Sequence, residues 1–124
     1  IVLYGESAES LRELLSGSDA LVYPHFSFRD LPDDSADIVF NSCSFSEMDP
    51  AMVDDYMMHI GRACRGSFLH VNHDEDRFYD EARTKKHVRM SMRGLPEQRF
   101  RTVHRKKPVY FHPKYFEYLY QRLP

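Results

Sequence analysis

The chain has 124 residues, of which 42% are hydrophobic and 29% charged, with a formal net charge of −2. This is an ordinary globular composition at the length of one domain, residues 1–124. No apolar run approaches the roughly 20 residues a bilayer crossing needs, so a membrane anchor and a signal peptide are both unsupported and a cytoplasmic location is expected.

The charge is unevenly spread. Acidic residues dominate as far as Asp55, whereas Arg83, Lys85, Lys86, Arg89, Arg93, Arg99, Arg101 and Arg105 make the later part basic. A basic stretch suits nucleic acid or an anionic substrate, but no recognition helix or aromatic RNA-binding motif accompanies this one, so a solvated face is expected instead. Cys43 and Cys64 belong to no CxxC pair, which argues against a zinc site and fits reduced, buried thiols.

Residues 1–5, IVLYG, read as a strand with no lead-in, so the chain is expected to begin part-way into its fold. Ser7 can cap a helix over residues 7–16, with Leu11, Leu14 and Leu15 on one face and Gly17 as its stop. Residues 20–23 form a second strand, ended by Pro24. The loop HFSFRDLPDDSA then leads to Ile38-Val39-Phe40, whose unbroken apolar run is that of a parallel strand covered on both faces. Asp49 caps a helix with Pro50 at its first position; Val53, Tyr56, Met57, Ile60 and Cys64 recur at helical spacing, and Gly66 is the expected stop.

Residues 67–71 make the next strand. The polar stretch 74–86 has room for a short helix, Gly94-Leu95-Pro96 makes a turn, and two strand-like segments follow at residues 99–105 and 115–123. The sum is an α/β fold: a mostly parallel sheet with flanking helices and a C-terminal antiparallel hairpin.

Two of these strands end in polar clusters, Asn41 to Glu47 and Asn72 to Asp74. Parallel strands bring both clusters to one edge of the sheet, where ligands of open α/β folds bind. Glu47, His73, Asn41 and Asn72 supply a carboxylate, an imidazole and two amides, a set able to position a hydroxyl, take its proton, or help hold a divalent metal. His73 has the natural pKa for a general base near neutrality.

Plainer readings stand beside these. Glu47, two residues before the cap, can simply favour the positive end of the helix. His73 can be a loop histidine bonded to a main-chain carbonyl, and His70 alternates with core positions and reads as structural. A zinc hydrolase is not expected, since no HExxH or other known zinc spacing occurs.

The run DIVFNSCSFSEMDPAMVDDYMMHIGRACRGSFLHVNHD resembles the central part of the sugar O-methyltransferase family, within the Rossmann-like S-adenosylmethionine-dependent methyltransferases. The likeness is carried by Asp37, Asn41, the block Ser44-Phe45-Ser46-Glu47-Met48, Tyr56 in the following helix, and Asn72-His73 at the next strand end; it covers roughly residues 1–76.

The resemblance implies a Rossmann-like fold in which a glycine-rich turn holds the methionine end of S-adenosyl-L-methionine and an acidic residue binds the ribose. Gly5, Gly17, Gly61, Gly66 and Gly94 are isolated and no GxGxG occurs, so it also implies that the first strand or strands of the complete fold lie upstream. By position it implies Glu6 as the ribose acid, Phe26 beside the adenine, and Asn41 and Ser42 at the methionine part. The implied reaction is in-line methyl transfer to a hydroxyl of a small sugar or glycoside, with His73 or Glu47 as base and Asn72 orienting the acceptor. With a divalent metal acidifying the hydroxyl, Glu47 and Asp74 become ligands instead.

Two other function classes compete with an enzyme. One is a non-catalytic, methyltransferase-like interaction module that binds through a sheet edge and the basic tail. The other is a nucleic-acid-binding domain, whose affinity would fall steeply with salt. A sheet lacking its first strands exposes an inner edge, so pairing with a second copy or aggregation is expected of the isolated chain.

Overall fold

The structure is a computed structural model that describes residues 25–74, 97–110 and 114–124, together with Glu13, Ser16, Gly17 and Leu95. The expected strands over residues 1–5 and 20–23, residues 75–86 of the polar stretch, Gly94 and Pro96 of the expected turn, and Glu6 lie outside the described residues. Of the expected first helix, the Gly17 N–H donates to the Glu13 carbonyl at 3.1 Å, the i to i−4 bond of a helix end.

The described chain runs through a 3₁₀ turn at His25–Asp30, strand β1 (Ala36–Ser42), a 3₁₀ turn at Phe45–Glu47, helix α1 (Pro50–Ala63), and strands β2 (Cys64–His73), β3 (Phe100–Lys106) and β4 (Tyr115–Arg122). The four strands form one sheet in the order β1-β2-β4-β3. β1 pairs with β2 in parallel, whereas β4 is antiparallel to both β2 and β3. The fold is thus mixed α/β with the expected terminal hairpin. Among the described residues one pairing is parallel and two are antiparallel, and the second hairpin strand, not the first, lies next to β2.

Helix α1 forms for the reasons its sequence gives. The Asp49 carboxylate accepts from the Ala51 N–H at 2.8 Å, Pro50 occupies the first turn, and Val53, Met57, Ile60, Gly61 and Ala63 are buried. The helix runs straight into β2 without a loop, as the Cys64 N–H still bonds the Ile60 carbonyl. Gly66 is therefore not its stop. It sits inside β2, where the β1–β2 register slips between Ala36 and Ile38, and a Cβ there would stand 2.2 Å from the Asp37 carbonyl oxygen. Glycine lets the two backbones approach at this bulge.

The core lies between α1 and one sheet face. Val53, Met57 and Ile60 pack with Phe68 of β2, Tyr118 and Tyr120 of β4, Phe100 of β3, and Phe45 and Leu95. Val39 is the β1 residue that joins them. Ile38 and Phe40 point to the other face and are 71% and 61% exposed, so within the described residues β1 is covered on one face, not on both. The pleat separates neighbours that the apolar run had grouped together.

The uneven alternation of the hairpin also has a local cause. The β3–β4 register shifts between Thr102 and His104, leaving Val103 as the extra residue. At the other end of the core, Arg122 donates to the Gly61 and Cys64 carbonyls at 3.1 and 2.9 Å, fastening β4 to the junction of α1 and β2.

Candidate functional site

The two polar clusters do meet at the carboxyl edge of β1 and β2, and the strand pleat divides them between the two faces. Register pairs Asn41 with His70 and Ser42 with Val71. Asn41, His70 and Asn72 accordingly lie on the core face, while Ser42 and His73 lie on the opposite one.

On the core face the polar groups serve one another. Asn72 is fully buried. Its Oδ1 accepts from the main-chain N–H of Phe45 at 3.0 Å and of Ser46 at 3.4 Å, and its Nδ2 faces Asn41 Oδ1 at 3.0 Å and His70 Nδ1 at 3.2 Å. All four hydrogen-bonding positions of this amide are engaged by the protein. Asn41 continues the chain by donating to Ser44 Oγ at 2.6 Å.

Asn72, read from the sequence as orienting an acceptor, thus holds the 3₁₀ turn after β1 by the N–H groups of Phe45 and Ser46. The physical reason is parity: Asn72 and His73 are neighbours in a strand, so their side chains leave opposite faces.

His70 belongs to this buried layer, as its alternation indicated. Its ring stacks on Tyr118 with centroids 4.6 Å apart and lies 5.1 Å from Phe68. Because Nδ1 faces the Asn72 donor, the ring proton is assigned to Nε2, which is buried with no hydrogen-bond partner. Burial pushes its pKa down to about 4, with the Asp74 charge pulling weakly the other way.

The opposite face holds a different set. The chain leaves β1 through Cys43, whose φ of 62° is in the left-handed region that few non-glycine residues adopt. The Cys43 N–H donates to the Val71 carbonyl at 2.8 Å, and its thiol lies 3.3 Å from the Ser42 hydroxyl. Tyr115, opposite His73 in the β2–β4 ladder, brings its ring centroid to 3.8 Å from that of His73. Burial pushes the Tyr115 hydroxyl above its ordinary pKa, and the nearby Cys43 thiol and Glu47 carboxylate act in the same direction. Cys43 and Glu47 thus lie within electrostatic reach of Tyr115, whose ring touches His73, and Glu47 is exposed.

Tyr115 was missed in the sequence because it is 42 residues from His73. The available signal was the hairpin: an antiparallel last strand returns its first residue to the edge where β2 ends. Cys43 was read as buried and is in fact half-exposed, whereas Cys64 is buried, with its thiol pKa raised chiefly by that burial.

Asp74 is engaged elsewhere. Its carboxylate bonds the Tyr118 hydroxyl and receives Arg105 at 2.7 Å, while Arg105 also lies 3.7 Å above the Phe116 ring. Of the expected metal pair Glu47 and Asp74, Asp74 is thus committed to Arg105 and Tyr118, and among the described residues no three of His, Cys, Asp and Glu are placed to hold a metal ion. No helix among them is long and apolar enough to cross a membrane.

Phe26 lies apart from both clusters. It lines a cavity of about 180 Å³ between the His25–Asp30 turn and α1, shared with Phe28, Arg29, Met52, Asp55, Tyr56 and His59. A row of rings connects the cavity to the carboxyl edge: Phe28 to Tyr56 at 5.8 Å, then Tyr56 to Phe45 at 5.8 Å.

No protein-family model and no curated protein matches the chain. Among solved structures it is similar to one described as a "putative type 11 methyltransferase" from Sulfolobus solfataricus, with 18% sequence identity and a TM-score of 0.49. The match covers 94% of this chain and 66% of that one, so the chain spans just under two thirds of that structure's length. A likeness of this size assigns no activity.

Proposed function

We propose that the chain carries the acceptor side of an S-adenosylmethionine-dependent O-methyltransferase acting on a sugar hydroxyl. The observation that carries this reading is the contact of His73 with Tyr115 at the carboxyl edge of the sheet, beside the loop that leaves β1 through Cys43 and carries Glu47. The sequence resemblance of Ser44 to Met48 and of Asn72-His73 supports it independently of the fold.

The described residues fit the cofactor at one end. The Phe26 cavity has aromatic walls and the polar groups of Arg29, Asp55 and His59, which suits a planar heterocycle. The Phe45 and Ser46 N–H groups are committed to Asn72, so neither is offered to the methionine part. Asn41 keeps one amide hydrogen and one lone pair beyond its bonds to Ser44 and Asn72, and Ser42 is exposed; these are the groups left for it. When bound, the cofactor supplies an electrophilic sulfonium methyl.

The rest is work for this chain. His73 Nδ1 is shielded from solvent, so Nε2 is the nitrogen that takes the acceptor's proton as the hydroxyl attacks. Glu47, exposed at the same edge, hydrogen-bonds the acceptor's neighbouring hydroxyls and fixes its attack angle. Asn72 acts at one remove, by keeping the loop that carries Glu47 in place.

Calorimetric titration of S-adenosylhomocysteine, into this chain and into the longest natural polypeptide containing it, tests the reading. Binding followed by loss of methyl transfer in Glu47→Gln and His73→Ala supports it, and absence of binding to either polypeptide at millimolar ligand removes it. The exposed Ile38 and Phe40 favour a second reading, a methyltransferase-like interaction module without catalysis. Copurification of a stoichiometric protein partner that is lost in Phe40→Ser, with no cofactor binding, would establish that one.

A further inference from the structure

The pleat that separates His73 from Asn72 leaves the imidazole without the amide that sequence reasoning had placed beside it. On its own face the neighbour is Tyr115, cross-strand in the β2–β4 ladder, with ring centroids 3.8 Å apart and planes inclined at 37°. A cross-strand pair at this separation has its rings in contact, and each restricts the χ angles of the other. The Tyr115 ring, carried by β4, therefore lies against the imidazole carried by β2.

We infer that Tyr115 is a positioning residue for His73: its ring, carried on β4, fixes the orientation of the imidazole carried on β2. The inference deepens the proposed transfer reaction and rests on it for its consequence in catalysis. The ring contact itself does not depend on that reaction.

The two parts of the side chain have separable effects. Tyr115→Phe keeps the ring and loses the hydroxyl, whereas Tyr115→Leu loses the ring while remaining an apolar strand residue. A base that has lost its fixed orientation loses kcat, by about 10- to 100-fold for misplacement on the order of 1 Å. The KM for the methyl donor should change little, because the contact touches the base and not the donor.

Two measurements decide it. The first is the NMR spectrum of the His73 ring protons, assigned with His73→Gln, in the wild type and both variants, after circular dichroism has shown that each variant keeps the wild-type fold. The ring current of Tyr115 should place these signals upfield in the wild type and Tyr115→Phe, and Tyr115→Leu should return them to ordinary positions. The second is transfer kinetics on the longest natural polypeptide containing this chain. Tyr115→Leu should lose kcat by at least about 10-fold while Tyr115→Phe stays within about 3-fold of wild type.

Unmoved His73 signals in folded Tyr115→Leu would overturn the inference, as would equal impairment of the two variants or full kcat in Tyr115→Leu. Shifted signals in a wild type that neither binds S-adenosylhomocysteine nor transfers methyl would retain the ring contact and overturn the methyltransferase reading together with the catalytic consequence drawn from it.

Discussion

Stability should fall with acid through His70 in particular. The imidazole is fully buried among Phe68, Tyr118 and Asn72, and burial lowers its pKa from 6.5 to about 4. Between these two values the unfolded chain binds a proton that the folded chain refuses, so stability rises with pH across the window. Equivalently, the contribution is complete above pH 6.5 and is lost as pH falls towards 4. At about 1.4 kcal/mol per pH unit, the loss by pH 4 is about 3 kcal/mol. That is a large part of the 5–15 kcal/mol typical of a domain.

The assay is urea unfolding at half-unit steps from pH 7.5 to about 4 for wild type and His70→Phe. The variant keeps a ring against Tyr118 and removes the titration. At neutral pH it should be the less stable protein by about 1–3 kcal/mol, because Asn72 Nδ2 loses an acceptor. The difference should shrink and then reverse as pH falls, since carboxylates shared by both proteins cancel in the subtraction. A difference that stays constant from pH 7 to 4 would refute the reasoning, as would an NMR titration of folded His70 with a midpoint at 6 or above.

Two further substitutions test the geometry of the sheet end. Gly66→Ala places a methyl 2.2 Å from the Asp37 carbonyl oxygen, a main-chain atom that cannot swing aside, so β1 must part locally from β2. A thermal midpoint at least several degrees below wild type is expected, and an unchanged one would show that the bulge relaxes freely. Asn72→Ala removes the side-chain acceptor of the Phe45 and Ser46 N–H groups, with an expected cost of about 2–4 kcal/mol and faster amide exchange confined to residues 44–47. Exchange at those amides as slow as in the wild type would remove the clamp role.

The helix shows what is legible in one dimension. Asp49-Pro50 and the apolar residues at helical spacing are local signals, and the observed helix Pro50–Ala63 begins where they place it. The hairpin strands were also found within a residue or so, because β-branched and aromatic residues bounded by turns need little context. Gly66 was legible as a backbone signal but ambiguous in kind. A helix stop and a close approach between strands both call for a missing Cβ, and only the neighbour Asp37 decides between them.

For the candidate site, sequence alone determined that Asn41 to Glu47 and Asn72 to Asp74 end neighbouring strands, because parallel strands share a direction. Which of those side chains face a ligand was decided by the tertiary structure. Strand parity and the β1–β2 register turned Asn41 and Asn72 inward to bond the loop, turned His73 outward, and gave Asp74 to Arg105 and Tyr118. Only folding of the hairpin brought Tyr115 to His73 across 42 positions. Local chemistry is written in short stretches of chain, whereas a site formed across strands depends on pairing distances that no single stretch contains.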